Sequence, residues 1–340
     1  MKKKIFYSCT LLLSMILIAG IFTGCGSSNK TSLKKVRLNE VARSVFYAPM
    51  YAAISQGYFK EEGLDIEIST GQGADKTMQQ VISRSADIGF CGPEQSIYIQ
   101  NQNKEDYPVV FAQLTQRDGS FLVGRKDEKN FDWSSIKGKT IIGGRPGGVP
   151  EMTLEYVLKN HGIDPKKDVN IITNIDYTAT SGAFKAGTGD YVALFEPTAS
   201  ILRQSNSGYI EASVGASAGP IPYTCYFTTK SYLDKNPDVI QKFTNAIYRG
   251  QKWVNSNSDA AVAENIKSFF PGTDVKLIEQ NVKNYRAVNA YASSPVIKEA
   301  DMDRLMDIIQ GYNSSLIKTR PAFNKLVNTD FAEKAVKEVK

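Results

Sequence analysis

The stretch from residue 45 to residue 68, VFYAPMYAAISQGYFKEEGLDIEI, decides the fold of this chain. Its pattern predicts the end of a short strand over residues 36–47, a helix over residues 50–56 and a second strand over residues 64–69. Gly57 follows the helix, where a left-handed backbone conformation is common. The unit is therefore strand–helix–strand, which is typical of a layered α/β protein.

The loop after the first predicted strand carries the first half of a candidate ligand site. In open α/β sheets, ligands bind at the carboxyl ends of the strands, and this end carries Arg43, Phe46, Tyr47 and Tyr51. Gly73 begins the next predicted helix, where free backbone N–H groups can hold an anion or a carbonyl oxygen. A plain tight turn explains Gly73 equally well.

Later loops supply the second half of the candidate site. A second glycine-rich loop carries Arg145, Gly147 and Gly148 at the start of a predicted helix. An arginine in a glycine-rich loop before a helix can bind a ligand oxygen. The alternative is a solvated Arg145 in a flexible turn.

The N-terminal segment has the pattern of an export signal. Three lysines precede an apolar run over residues 5–22, and small residues follow it. The sequence FTGC is similar to the bacterial lipobox, although Phe22 stands where leucine is usual. We therefore expect a signal peptide over residues 1–24, a lipidated Cys25 and a tether over residues 25–34. An uncleaved membrane anchor is the alternative, because the apolar run is near the minimum length for a span.

Charge and cysteine usage exclude several classes of function. Without the signal peptide, Lys and Arg fall from 41 to 38 against 35 acidic residues, which leaves a net charge of +3. This charge is too small to indicate nucleic-acid binding. Cys91 and Cys225 remain in the predicted fold, either as free thiols or as a disulfide. Because no cysteine or histidine cluster has metal-ligand spacing, we expect neither a metal nor a cofactor.

The chain also lacks the residues of familiar catalytic sites. His161 is its single histidine and ends a predicted helix, so it cannot supply a Ser/His/Asp set together with metal ligands. Gly138-Lys139-Thr140 precedes a strand instead of following one, which excludes a phosphate-binding loop. We therefore expect no enzymatic activity.

The run GYFKEEGLDI at residues 57–66 resembles the opening of the solute-binding proteins of ABC importers for nitrate, sulfonates, taurine and thiamine precursors. A weaker resemblance extends over residues 36–312. It implies the α/β fold of type 2 periplasmic binding proteins, which has two lobes with a cleft between them and extra C-terminal helices on the first lobe. Lobe 1 would contain residues 35–118 and 225–340, and lobe 2 residues 119–224. The resemblance also implies that Glu94 and Glu196 face the cleft and that Tyr223 lies at the second crossing between the lobes. The alternatives are an exposed helix-start carboxylate without function for Glu94 and a helix cap for Glu196.

The resemblance implies a monomeric, lipid-anchored protein outside the cell membrane that passes a small-molecule solute to an ABC permease with its ATPase. Aromatic residues and carboxylates favour an aminopyrimidine-like heterocycle over taurine or an alkanesulfonate. Two alternatives remain: an enzyme similar to the eukaryotic thiamine-pyrimidine synthase, which consumes a histidine of its own, and a lipoprotein that senses a ligand without delivering it.

Overall fold

The computed structural model describes residues 33–102 and 104–339, so the predicted signal peptide and Cys25 lie outside the described residues. This part of the chain forms two five-stranded sheets. The strands β1–β10 are Lys34–Glu40, Leu64–Thr70, Ile88–Cys91, Pro108–Thr115, Phe121–Gly124, Thr140–Ile142, Asn170–Ile172, Tyr191–Leu194, Tyr209–Ser213 and Thr224–Thr229. The helices α1–α8 are Ala48–Ser55, Tyr58–Glu61, Ala74–Ile82, Glu94–Gln100, Val149–Asn160, Thr180–Lys185, Thr198–Gln204 and Val214–Ala218. The helices α9–α15 are Lys230–Lys235, Pro237–Ser256, Asp259–Ile266, Val275–Ala287, Glu299–Tyr312, Phe323–Leu326 and Asp330–Glu338.

Each sheet combines parallel strands with a strand that arrives from the other sheet. The first sheet has the order β2-β1-β3-β10-β4, in which β1 is parallel to β2 and β3, and β10 is antiparallel to β3 and β4. The second has the order β7-β6-β8-β5-β9, in which β6 is parallel to β7 and β8, and β5 is antiparallel to β8 and β9. Two lobes of the same plan result.

The opening unit differs from its prediction at one point. Strand β1 ends at Glu40, and Val45–Tyr47 is a short 3-10 turn rather than strand. The cause is local, because the Ser44 hydroxyl accepts a hydrogen bond from the Phe46 N–H at 3.2 Å and caps the turn. Helix α1 follows at once. Gly57 has the expected left-handed conformation, with φ of 77°.

Helix α10 covers α1 at very short range. A Cβ atom at Gly250 would lie 2.2 Å from the Pro49 carbonyl oxygen, so only glycine permits this approach. The opposite side of α10 receives the C-terminal helix α15, whose Ala332 and Ala335 are buried. The last helix of the chain therefore has one buried face.

The chain crosses between the sheets after Thr115 and returns between Ser213 and Thr224. The lobe boundaries expected from the sequence, at residues 118/119 and 224/225, stay a prediction. Strand β9 and helix α8 precede the return, and neither was predicted from the sequence. Helix α8 packs so closely on the first crossing that a Cβ atom at Gly215 would lie 2.0 Å from the Asp118 carbonyl oxygen.

A third segment also joins the lobes, which the sequence did not predict. Residues 290–296 run along the edge strand β4, with the Ala292 N–H donating to the Leu114 carbonyl at 2.9 Å. Helix α13 then packs on α5 of the second lobe, where Lys159 Nζ donates to the Gly311 carbonyl at 2.7 Å. The expectation that all the late helices pack on the first lobe was therefore wrong for α13.

In the described part of the chain, every helix is too short or too polar to span a bilayer.

Candidate functional site

The two lobes meet at the carboxyl ends of their parallel strands. The loops after β1 and β3 belong to the first lobe, and the loops after β6 and β8 to the second. Ser44 Oγ donates to the Glu196 carbonyl at 3.2 Å, and Tyr98 Oη donates to the Gly147 carbonyl at 3.0 Å. These contacts place the candidate site where α/β sheets bind ligands.

Phe46 is the centre of an aromatic cluster that joins the lobes. Its ring centroid lies 4.7 Å from that of Tyr285, 5.6 Å from that of Tyr223 and 6.0 Å from that of Phe195. Phe46 is fully buried. Its ring contacts Phe195, which follows a strand of the second sheet, so it is part of the packing between the lobes. The neighbouring Tyr47 ring meets it at 5.5 Å. The structure thus brings together the predicted residues Phe46, Tyr47 and Tyr223.

Glu94 is a buried carboxyl group with spare hydrogen-bonding capacity. It is 1% exposed, and Gln95 Nε2 donates to its Oε1 at 3.2 Å. Its Oε2 has no hydrogen-bond partner among the described residues. Burial raises the pKa of Glu94 to about 7, although Gln95 and Arg145 each lower it in part. A buried acceptor of this kind is costly unless a donor reaches it.

Glu94 shares its helix with a residue that contacts the second lobe. It stands four residues before Tyr98 on α4, so both side chains lie on one face of that helix. Tyr98 Oη contacts both the Gly147 carbonyl and Met152 Sδ, at 3.0 and 3.7 Å. The unpartnered Oε2 of Glu94 lies beside Gly92, where a Cβ atom would approach it to 2.0 Å.

The Glu196 carboxylate is bound by its own chain. Ser200 N and Oγ donate to it at 2.9 and 2.8 Å, and Asn284 Nδ2 donates at 2.6 Å. Tyr285 Oη accepts from the Glu196 N–H at 3.0 Å. Glu196 thus caps the start of α7, the alternative that the sequence left open, and ties the second lobe to α12. Its ligand-binding role stays a prediction.

Asp118 lies in the first crossing, and sequence reasoning missed it. Its Oδ1 accepts from the Ser120 N–H at 2.7 Å and from the Ser120 hydroxyl. Burial raises the pKa of Asp118 to about 6, and the nearby Tyr223 hydroxyl lowers it in part. Because Tyr223 lies in the second crossing, this polar pair joins both connections between the lobes.

A sequence profile of the family described as NMT1/THI5 like matches residues 45–261. The Bacillus subtilis protein YtlA, whose name describes it as a proposed binding protein, is 44% identical to this chain. The match covers 94% of this chain and 95% of YtlA. The chain belongs to the NMT1/THI5-like family. A more distant relative of this chain is the 4-amino-5-hydroxymethyl-2-methylpyrimidine phosphate synthase of Aspergillus parasiticus. It is 27% identical, and the match covers 64% of this chain and 66% of the synthase.

Solved structures similar to this NMT1/THI5-like protein confirm the predicted fold. The alkanesulfonate-binding protein SsuA of Xanthomonas axonopodis, bound to MOPS, superposes with a TM-score of 0.70 at 14% identity, covering 87% of this chain and 98% of its own. The periplasmic nitrate-binding protein NrtA of Synechocystis gives 0.68 at 14% identity, covering 91% and 89%. The two-lobe periplasmic-binding-protein fold and the predicted family resemblance are therefore established.

Two predicted site residues of the NMT1/THI5-like chain belong to a different cluster. Glu40 accepts from Tyr51 Oη at 2.5 Å and from Arg43 Nε at 2.6 Å. The Tyr51 ring is fully buried and stacks on Phe269 at 4.6 Å. This cluster lies within the first lobe, so ligand contact by Arg43 and Tyr51 stays a prediction that these contacts do not support.

The glycine-rich loops of the two lobes approach each other through charges. Arg145 Nη2 lies 3.9 Å from Asp75 Oδ1, and both side chains are about half exposed. Asp75 follows Gly73, the residue that precedes α3, whereas Gly148 precedes α5. An exposed pair at this distance contributes little stability, so Arg145 is free to reorient toward a ligand.

Asn281 and Tyr177 are two further residues that sequence reasoning missed. Asn281, on α12, is buried, and neither polar atom of its side chain has a partner among the described residues. Tyr177 is 60% exposed beside Phe195, with ring centroids 6.1 Å apart. Both stand outside any recognisable motif, so the sequence offers no signal for them. Two described cavities, lined in part by Arg37 and by Arg286, lie elsewhere.

Proposed function

We propose that the protein captures a small organic solute outside the cell and delivers it to an ABC permease with its ATPase. The fold shared with SsuA and NrtA supports this role, as does the name of YtlA. The captured solute would lie between the lobes, among Phe46, Tyr47, Glu94 and Tyr223. It would favour the closed arrangement because only that arrangement satisfies contacts from both lobes.

Our choice of ligand class is based on the unpartnered carboxylate oxygen of Glu94. A buried carboxylate among aromatic side chains suits a flat ring that donates an N–H group, such as an aminopyrimidine. The relatives named for an aminopyrimidine phosphate support the same class. A sulfonate would bring a second negative charge toward Glu94, although Arg145 could offset it. We therefore rank the heterocycle above taurine and alkanesulfonates.

The pH dependence of binding distinguishes the two ligand classes. A ring that donates to ionised Glu94 should bind more tightly as pH rises, by up to about tenfold per pH unit below pH 7 and with little change above it. A sulfonate should bind more weakly over the same range. Titration calorimetry from pH 5 to pH 8 with 4-amino-5-hydroxymethyl-2-methylpyrimidine, thiamine, taurine and an alkanesulfonate tests this.

Thermal shifts identify which of these compounds to titrate. A ligand at a hundredfold excess over its Kd stabilises the folded state by about 2.7 kcal/mol. A shift with a sulfonate alone, or a sulfonate affinity that rises with pH, would contradict the heterocycle assignment. Nitrate is the matched small-anion control, because it offers neither a ring nor an N–H donor.

We also infer that Cys25 is lipidated and that it anchors a monomer to the cell membrane. Cys25→Ala should move the protein from the membrane fraction to the soluble extracytoplasmic fraction. Fractionation followed by immunoblotting measures this, with Ser28→Ala in the same tether as the matched control that should remain with the membrane. Retention of the Cys25→Ala protein in membranes would favour an uncleaved anchor instead.

A catalytic role has less support from the positions of the residues. His161 follows the last residue of α5, a helix of 12 residues and therefore about 18 Å long, whose first turn faces the first lobe. His161 is exposed, and its ring stacks on Trp133 at 5.7 Å. A synthase that consumes its own histidine needs that residue at the ligand. Sensing without delivery remains the second alternative.

A further inference from the structure

Cys91 and Cys225 are direct neighbours across two antiparallel strands. Cys91 ends β3, Cys225 is the second residue of β10, and the pairing register places their Cα atoms opposite each other. Side chains of such partners point to the same face of the sheet. Their Cα atoms lie about 4.5–5.5 Å apart in antiparallel pairs, which is within the range of about 4.4–6.8 Å that a disulfide spans.

The two thiols share one enclosed environment. Both cysteines are fully buried and reduced in this structure, and Cys91 Sγ is 3.5 Å from the Gly92 carbonyl oxygen, to which it donates. Burial raises the pKa of both thiols. Thiolate-driven exchange is therefore slow once the lobe has packed, so any bond between them would form while the chain folds.

We propose that Cys91 and Cys225 are an oxidation site and form a disulfide when the chain folds in an oxidising compartment. The two thiols lose two protons and two electrons to a disulfide of a thiol–disulfide oxidant, which becomes two thiols, while one S–S bond joins the strands. The proposal depends on the proposed function only through export, because exported proteins meet such oxidants.

The disulfide would close a long loop of the chain that includes the whole second sheet. The chain between the two cysteines contains β4, both crossings and the whole second sheet. Cys91 directly precedes the loop to Glu94, and Cys225 directly follows the return crossing. The disulfide would therefore fix the start of β10 to β3, the strand that precedes the loop to the buried carboxylate of Glu94. Closing a long loop restricts the unfolded chain strongly.

Peptide mapping of the full chain, purified from the cell without reductant, tests the proposal. The protein is denatured, alkylated with iodoacetamide, and digested before and after reduction. We expect a cross-linked peptide that contains Cys91 and Cys225, with alkylation of both only after reduction. The oxidised protein should also melt about 5–10 °C above the reduced protein.

Single-cysteine variants provide the matched controls. In Cys91→Ala, the thiol of Cys225 should be alkylated without reduction, and the converse should hold for Cys225→Ala. If these variants fail to fold, refolding of the wild-type chain in a glutathione redox buffer provides the same information. Full alkylation of both residues in unreduced protein, with no cross-linked peptide after oxidative refolding, would overturn the proposal. Ligand-induced thermal shifts of the reduced protein test the proposed function separately.

Discussion

Glu94→Gln should stabilise the unliganded protein at pH 8 by about 3 kcal/mol and weaken ligand binding by about 10–100-fold. The two effects have one cause. The wild-type carboxyl has a pKa of about 7 in the folded protein against an ordinary 4.5, because burial disfavours its charge. Glutamine keeps the size of the side chain and removes that charge, together with the acceptor that the proposed ligand uses.

The sign of the pH effect follows from the two pKa values of Glu94. Below about pH 4.5 the carboxyl is protonated in both the folded and the unfolded states, so its ionisation costs no stability. Between about 4.5 and 7 the unfolded state loses its proton first, and the free energy of unfolding falls as pH rises. The stabilisation by Glu94→Gln should therefore be near zero at pH 4 and greatest above pH 7.

Urea unfolding at pH 4 and pH 8 measures the stability difference, and titration calorimetry measures the affinity. Glu105→Gln is the matched control, since Glu105 is an exposed glutamate close to α4 in the chain, and it should change neither quantity. If the wild type and Glu94→Gln had the same free energy of unfolding at both pH values, the ionisation of Glu94 would not destabilise the folded protein. A stabilised variant with unchanged affinity would remove Glu94 from the ligand site.

Glu196→Ala should lower the free energy of unfolding by about 3 kcal/mol, because two buried donors and one half-buried donor lose their acceptor. Those donors are Ser200 N, Ser200 Oγ and Asn284 Nδ2. Glu196→Gln keeps one acceptor oxygen and should cost about half as much. Among molecules that remain folded, ligand affinity should change by less than about threefold, because the carboxylate is occupied within the protein.

Urea unfolding and titration calorimetry on the same preparations separate the two roles of Glu196. Asn284→Ala is the informative partner, because it removes one donor and leaves the hydrogen bonds from Ser200 at the start of α7 to Glu196 in place. Its effect should be non-additive with that of Glu196→Ala, as is usual for groups in direct contact. A large loss of affinity with unchanged stability would restore the ligand role that the sequence suggested for Glu196.

The sequence predicted the layers of this protein well and its long-range contacts poorly. Periodicity and glycine positions are local signals, so the strand–helix–strand unit around Gly57 could be predicted. The turn at residues 45–47 could not, because the hydrogen bond of Ser44 overrides a pattern that also fits a strand. Strand β9 was missed because its five residues are all partly exposed and show no alternation.

The site illustrates the same limit. Strand ends could be predicted, and they do meet. Whether a carboxylate at a strand end faces a ligand or its own chain depends on partners that are distant in sequence, and Asn284 is such a partner for Glu196. Glu94 and Glu196 look equivalent in sequence. Only the structure shows that one has a spare acceptor oxygen and the other does not.

The segment of residues 290–296 and helix α13 together alter the mechanics of lobe movement. Two rigid bodies joined by two connections can rotate about the line through those connections. Because α13 also contacts α5, such a rotation requires either that α13 travels with the second lobe or that it slides along α5. A pair of labels on α13 and on the first lobe would then report the ligand state at a distance from the cleft, so the C-terminal region is a suitable place for a reporter.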